Sequence, residues 1–336
     1  MTGKTVVTDL LKEFDVFNIP AHTAEFNLLR IQGGLLDLYN ALEEDWSPIR
    51  SDAAIRRFKK VVLKLGSKAE LRKPASLFIA NGMNYNNYFN NNFFNITDRY
   101  IGSLIDYTYN IEWPYLSIDN GPLNQFLERI YRGLNKKKIF HSEVYGSLQN
   151  NFIVNTRNYI DELFNSISLD GPKNFVLHNA VEPFNPTRGL NLFNDAKIII
   201  VHRDPRDVYA SNYVRNEAFS PSFEVARHWE LKMGLTSAGN IETFIKRQKA
   251  QYDRVKSNRD DSRILRLSFE QIVMNHESTI KSICSFLNMN EKQQIRKGEF
   301  FKPELSKKNI GLWKLMKNQT NILLIENELN KYCYNG

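Results

Sequence analysis

The run Lys197-Ile198-Ile199-Ile200-Val201-His202-Arg203 constrains what this chain can fold into more than any other feature. Its four central residues are all β-branched and show no alternation of polar and apolar. A strand without alternation is one covered on both faces, the condition of a strand inside a parallel sheet. Asp204-Pro205 ends the run. Proline cannot continue a strand ladder but suits a first helical turn, so a helix is expected from Pro205 with Asp204 as its N-cap. Asn174–Ala180 is a second short apolar run, followed like the first by a turn and helical patterning. Arg263–Ile272 supplies a further strand, with a helix expected from about Glu277 to Leu287. Repetition of β-loop-α predicts an α/β fold, a parallel sheet flanked by helices.

Before this stretch the pattern is mostly helical. Val6, Val7, Leu10, Leu11 and Phe14 recur at helical spacing, which predicts a first helix of roughly three turns. Val16–Pro20 reads as a short strand stopped by proline. Leu28–Leu42 and Asp52–Leu65 read as amphipathic helices, with Gly33-Gly34 and Ser47-Pro48 as breaks. Residues 81–97 are rich in asparagine and aromatics, which predicts a loop with part of it packed. Residues 123–165 return to helical patterning. No internal repeat or clean linker interrupts the 336 residues, so the expectation is a single domain with a largely helical insertion at about 35–165.

Composition excludes several classes. No apolar stretch is long enough to span a membrane, and Asp9, Lys12 and Glu13 interrupt the N-terminal apolar pattern where a signal peptide would need a core. With only Cys284 and Cys333, a disulfide framework has no support and a reducing cytoplasm fits. The net charge of +8 is read either as a solvated basic surface or as a preference for an anionic partner. No basic run exceeds the three lysines 136–138, and no zinc-finger or RNA-recognition signature is present, so nucleic acid is not the expected partner.

The carboxyl end of a parallel strand is where open α/β sheets bind ligands. Arg203 stands at such an end, where a guanidinium can take a phosphate bidentately, and Ser211 follows about two turns into the helix with a hydroxyl to donate. The alternative on spacing is a charged turn in which Arg203 pairs with Asp204 or Asp207. Val201–Tyr213 closely resembles the segment of PAPS-dependent sulfotransferases that binds the 3′-phosphate of the co-substrate (PAPS is 3′-phosphoadenosine-5′-phosphosulfate). Arg203, the centre Pro205-Arg206-Asp207-Val208 and Ser211 match that segment position by position. Ile264–Met289 is similar to the family's later strand, loop and helix, and Ser306–Lys314 to its late loop ending in Gly-x-Trp-Lys. That loop closes over the 3′-phosphate in relatives, which makes Lys307, Lys308 and Trp313 cofactor-binding candidates. Read from the residues alone, the lysines are a surface charge pair and Trp313 a packing aromatic.

The resemblance covers roughly residues 1–20 and 174–316 and implies the P-loop NTPase-like fold of sulfotransferases. It also makes Gly3, Lys4 and Thr5, directly before the first helix, similar to the tail of the loop that grips the 5′-phosphosulfate. Gly3 allows backbone approach, helix N-terminal amides face the anion, and Lys4 and Thr5 add a charge and a hydroxyl. Relatives carry a strand and the first part of the loop before this point. With Met1 standing there, either the start lies upstream or the phosphosulfate site is weakened.

Sulfuryl transfer needs a base for the acceptor's proton. The resemblance offers two, Glu25 after the Val16–Pro20 strand and His178 after the Asn174 strand, while in other readings each is merely paired or packed. His202 is expected to pack on the sheet. PAPS is therefore the expected co-substrate and no metal is expected; the expected partner is a glycan or other small acceptor offering a hydroxyl or amine, such as a carbohydrate or cell-surface precursor. Two alternatives stay open. One is a P-loop kinase or NTPase using residues 3–5, although Lys197–Asp204 is a poor Walker B strand. The other is a non-catalytic binding protein of the same fold.

Overall fold

The computed structural model describes residues 4–19, 25–68, 83–111, 142–148, 151–167, 174–214, 241–256, 261–316 and 319–335, with isolated helical positions between 123 and 133. The chain divides into two compact units, residues 1–25 with 170–336, and residues 26–169.

Helix α1 (Lys4–Leu11) is about two turns long, shorter than the apolar spacing predicts. The backbone tightens at its end, where the Glu13 amide donates to the Leu10 carbonyl and the Phe14 amide to the Leu11 carbonyl, each at 3.1 Å. Strand β1 (Phe17–Asn18) follows within the Val16–Pro20 run.

The 26–169 unit begins with turns rather than with a helix from Leu28. Gly33 adopts φ 81°, and a Cβ on Gly34 would lie 2.3 Å from the Leu28 carbonyl oxygen, so α2 (Leu35–Tyr39) starts only after the glycine pair. A π-helical turn over Asn40–Glu44 continues it. Helix α3 (Pro48–Gly66) has proline in its first turn and a Ser47 N-cap that accepts from the Arg50 amide at 3.2 Å.

The asparagine-rich stretch is not a loop over its described residues. It forms α4 (Tyr85–Tyr88) and the start of α5 (Phe93–Ser103). The aromatics decide this: Tyr85, Phe89 and Phe93 recur every four residues, all buried and in ring contact. The asparagines serve as helix boundaries, since Asn84, Asn90 and Asn91 take positive φ. A second departure is the antiparallel pair β2 (Tyr107–Ile111) and β3 (Ser142–Gly146), of which β3 falls where helical patterning was expected. Helix α6 (Phe152–Asn165) packs on α5 through the Tyr100 and Tyr159 rings, stacked with centroids 4.2 Å apart. Their buried hydroxyls bond Thr156 and Thr97 respectively.

The other unit resumes with β4 (Asn174–Phe175), parallel to β1. Helix α7 (Pro186–Leu190) leads to β5 (Ile198–His202), α8 (Pro205–Val214), α9 (Ile241–Lys256) and β6 (Ile264–Ser268), which is parallel to β5 with Ile198 opposite Ile264. Then come α10 (Phe269–Met274), α11 (His276–Leu287), α12 (Pro303–Lys307) and α13 (Gln319–Leu329). Parallel strand pairs flanked by helices make the fold α/β, as the apolar runs predict. Burial of β5 is less complete than its sequence implies. Only Ile200 is fully buried and its apolar neighbours are half-buried, with pairing to β6 the one ladder described for it. One core joins these elements: Val7, Leu10, Leu11 and Phe14 of the N-terminal segment pack with Leu267, Phe269, Ile272 and Ile283, while Phe17, Val176, Ile199 and Val201 lean on them. Both strand pairs and α1 therefore share a single apolar centre.

Candidate functional site

Helix α8 begins at Pro205, and Asp204 caps it as expected: its Oδ1 accepts the Arg206 amide at 2.7 Å. The same carboxylate receives the Arg206 guanidinium, Nη2 to Oδ2 at 2.7 Å, with both side chains buried. Arg206, and not Arg203, is thus the hydrogen-bonded partner of Asp204. Arg206 also donates to Glu326 Oε1 and to the Tyr334 carbonyl, and lies 4.4 Å from the Trp313 ring.

Arg203 is itself buried at the strand exit, 4.9 Å from the Phe269 ring centre, and its Nη2 donates to the carbonyl of Asn309. Ser211, two turns along α8, is buried, and its Oγ has no hydrogen-bond partner among the described residues. A buried guanidinium at a strand exit and an unsatisfied buried hydroxyl on the helix that follows are suited to an anionic oxygen.

The late loop reaches this place through Asp207. The carboxylate of Asp207 is almost fully buried and accepts two backbone amides, Gly311 at 2.8 Å on Oδ2 and Trp313 at 3.2 Å on Oδ1. Gly311 takes φ 76°, a left-handed conformation that lets the loop turn its amides inward. Burial pushes the Asp207 pKa up, against the two amides and Arg203, which pull it down. Glu270, two residues past the end of β6, is also buried; it accepts the Asp204 amide at 3.0 Å, and burial raises its pKa, with the Asp204 and Asp207 charges adding to the effect.

Of the late-loop candidates, Trp313 stands beside Arg206. Lys307 is exposed and paired with Glu304 at 3.0 Å, and Lys308 is exposed. Neither lysine has a described contact to Arg203 or Ser211.

The second group lies around β1, β4 and α1. Gly3 lies outside the described residues, Lys4 opens α1, and Thr5 is exposed beside it. One turn on, Thr8 Oγ1 lies 3.3 Å from His178 Nδ1, which brings His178 against the first helix. The adjacent Asn179, at φ 51°, donates its side-chain amide to the Glu25 carboxylate. The two base candidates, distant in sequence, are therefore linked through one residue.

Sequence reasoning missed Asn179, Asn309, Glu270 and Tyr334, and gave Asp207 no role beyond its place in the Pro205–Val208 centre and a pairing with Arg203. Asn179 stood next to a named candidate. The roles of Asn309 and Tyr334 are backbone contacts, which leave no side-chain signature. His202 is exposed at the end of β5 and lines a cleft of about 370 Å³ with Asp204, Tyr252, Arg266, Ser268 and Glu270 at the carboxyl ends of β5 and β6; Arg203 and Ser211 do not line it.

Residues 151–293 match the model of the sulfotransferase family, a segment that holds Arg203, Ser211 and Glu270 and amounts to less than half of the chain. No curated protein matches the sequence. Among solved structures, the chain is similar to the sulfotransferase domain from the curacin biosynthetic pathway at 15% identity, over 64% of this chain and 76% of that one, with a TM-score of 0.32.

Proposed function

We propose, from the match of residues 151–293 to the sulfotransferase family, that this chain transfers a sulfuryl group from PAPS to a hydroxyl or amine of an acceptor. The observation that carries this reading is a buried Arg203 at the strand exit followed on α8 by a buried Ser211 whose hydroxyl has no hydrogen-bond partner among the described residues. Together they suit the 3′-phosphate that distinguishes PAPS from ordinary adenine nucleotides. Trp313, Lys307 and Lys308, on the loop fastened to α8 by Asp207, complete that end of the co-substrate site.

At the other end, the amides that open α1, with Gly3, Lys4 and Thr5, bind the 5′-phosphosulfate. PAPS supplies the sulfuryl group on an activated phosphosulfate anhydride. The acceptor oxygen or nitrogen attacks sulfur in line, the bond from sulfur to the 5′-phosphate oxygen breaks, and 3′,5′-ADP leaves. Glu25 or His178 takes the acceptor's proton. Asn179 holds the Glu25 carboxylate and Thr8 stands against the His178 ring, so each base has a positioning partner. No metal takes part in this scheme. The acceptor is a carbohydrate or another cell-surface precursor, modified in the cytoplasm before export. No helix among the described residues is long and apolar enough to cross a membrane.

Isothermal titration with 3′,5′-ADP tests the reading. The wild-type chain is expected to bind, and Arg203→Ala to lose about 2 kcal/mol, roughly thirtyfold, with the charge-assisted bond to phosphate. A wild-type chain that does not bind overturns the proposal. Transfer of radiolabelled sulfate from PAPS to a panel of glycans then tests catalysis. Glu25→Gln or His178→Gln is expected to slow it about a hundredfold or more with 3′,5′-ADP affinity unchanged.

A further inference from the structure

A buried carboxylate stands near the proposed 3′-phosphate site. Asp207 lies in the first turn of α8, almost wholly buried, with the Asp204 and Glu270 carboxylates close by and an anion proposed to bind on the same helix. A buried negative charge is unfavourable unless strong hydrogen bonds hold it. An acidic side chain beside an anion site also works against the anion's binding. Both Asp207 oxygens are nonetheless engaged by the late loop, one by the Gly311 amide and one by the Trp313 amide.

Three neighbouring residues fasten that loop in register. Arg203 donates to the Asn309 carbonyl, Asp207 accepts from Gly311 and Trp313, and Arg206 lies against the Trp313 ring. Three of these four contacts are to the loop backbone and do not depend on the identity of its side chains. Of these three residues, Asp207 is the one whose side chain reaches two loop amides at once, and it thereby sets the orientation of the turn between them. Gly311 is suited to that turn, since its φ of 76° is strained for any residue with a Cβ.

We propose that Asp207 is a positioning residue for the 3′-phosphate: its carboxylate latches residues 309–313 onto the first turn of α8, and so brings the late loop to the phosphate held by Arg203 and Ser211. Asp207 does not touch the ligand. It acts through the loop, and the negative charge it brings to the site is offset by the two amides it binds. This inference rests on the proposed 3′-phosphate site.

The test compares the affinities of 3′,5′-ADP and 5′-AMP, which lacks the 3′-phosphate, for wild type, Asp207→Ala, Asp207→Asn and Gly311→Ala. Backbone hydrogen exchange at Gly311 and Trp313 is read in the same proteins. Asp207→Ala is expected to weaken 3′,5′-ADP by about tenfold or more while 5′-AMP changes by less than about twofold, with faster exchange at both amides. Asp207→Asn keeps one oxygen acceptor and is expected to fall between, and Gly311→Ala to reproduce the selective loss from the other end of the latch. Equal weakening of both nucleotides, or wild-type affinity for 3′,5′-ADP in Asp207→Ala, overturns the proposal. Should Asp207→Ala fail to fold, Asp207→Asn and Gly311→Ala decide by the same criteria. A wild-type chain that binds neither nucleotide refutes the proposed function instead. The latch is then judged by exchange alone, and unchanged exchange at Gly311 and Trp313 in Asp207→Asn and Gly311→Ala refutes it.

Discussion

At the scale of single residues, several buried carboxylates in this protein accept backbone amides. Glu13 is fully buried and accepts the Phe300 and Phe301 amides and the Gln294 side chain. Asp52 accepts the Tyr145 amide and pairs with Arg56, and Asp207 takes two loop amides. Charged acceptors make strong hydrogen bonds, which is what makes such burial tolerable. Asp261 shows the same logic nearer the surface. Its oxygens accept the Arg263 amide, Nε and Nη2, and the arginine draws its pKa from 3.8 down to about 2. A folded-state pKa below the unfolded one contributes stability that is present above pH 3.8 and lost as pH falls toward about 2. Asp261→Asn is therefore expected to lower stability at neutral pH, with the difference from wild type shrinking between about pH 4 and pH 2. Denaturant unfolding across that range checks it, and a difference that does not vary with pH contradicts it.

At the scale of elements, caps and turns set where helices begin and end. Ser268, the last residue of β6, caps α10 by accepting the Gln271 amide at 3.0 Å, while the Gln271 side chain accepts the Ser268 amide at 3.0 Å. This reciprocal pair lets the chain pass from strand to helix without a loop. Ser268→Ala is expected to cost about 1 kcal/mol in urea unfolding. A cost near zero would mean that the packing of Phe269 and Ile272 alone holds the junction. The Ser-x-x-Gln spacing is plain in the sequence. The helices within residues 81–97 were not read, because asparagine's preference for turns outweighed a four-residue aromatic spacing whose value depends on what it packs against. Strand β3 was hidden for a related reason: Ser142–Gly146 is too short and polar to announce itself, and its pairing with Tyr107–Ile111 arises from contacts across more than thirty residues of chain.

At the scale of the whole molecule, residues 26–169 form a unit with a core of its own. Leu35, Leu38, Phe58, Phe93, Tyr100 and Tyr159 are each buried within it. The buried tyrosine hydroxyls are satisfied by threonines of the same unit. A fragment spanning 26–169 is therefore expected to fold alone, with a helical circular dichroism spectrum and a cooperative melt. A fragment that is unfolded at 25 °C contradicts this. The other unit is discontinuous in sequence, and α1 shares its core with the strands and with the helices that follow β6.

What the sequence determined by itself is local. The β-branched run at 198–201, the proline after it and the spacing of Arg203 and Ser211 prescribe a strand, a turn and a helix. Sterics and short-range hydrogen bonds suffice for that. The tertiary structure decided which polar groups meet. It assigned Asp204 to Arg206, placed the loop of Gly311 and Trp313 on Asp207, and joined Glu25 to the neighbour of His178. These contacts span up to about 150 residues. Nothing in local propensity distinguishes one acidic partner from another. The shared apolar core does, by fixing which strand ends lie side by side before any side chain chooses its partner.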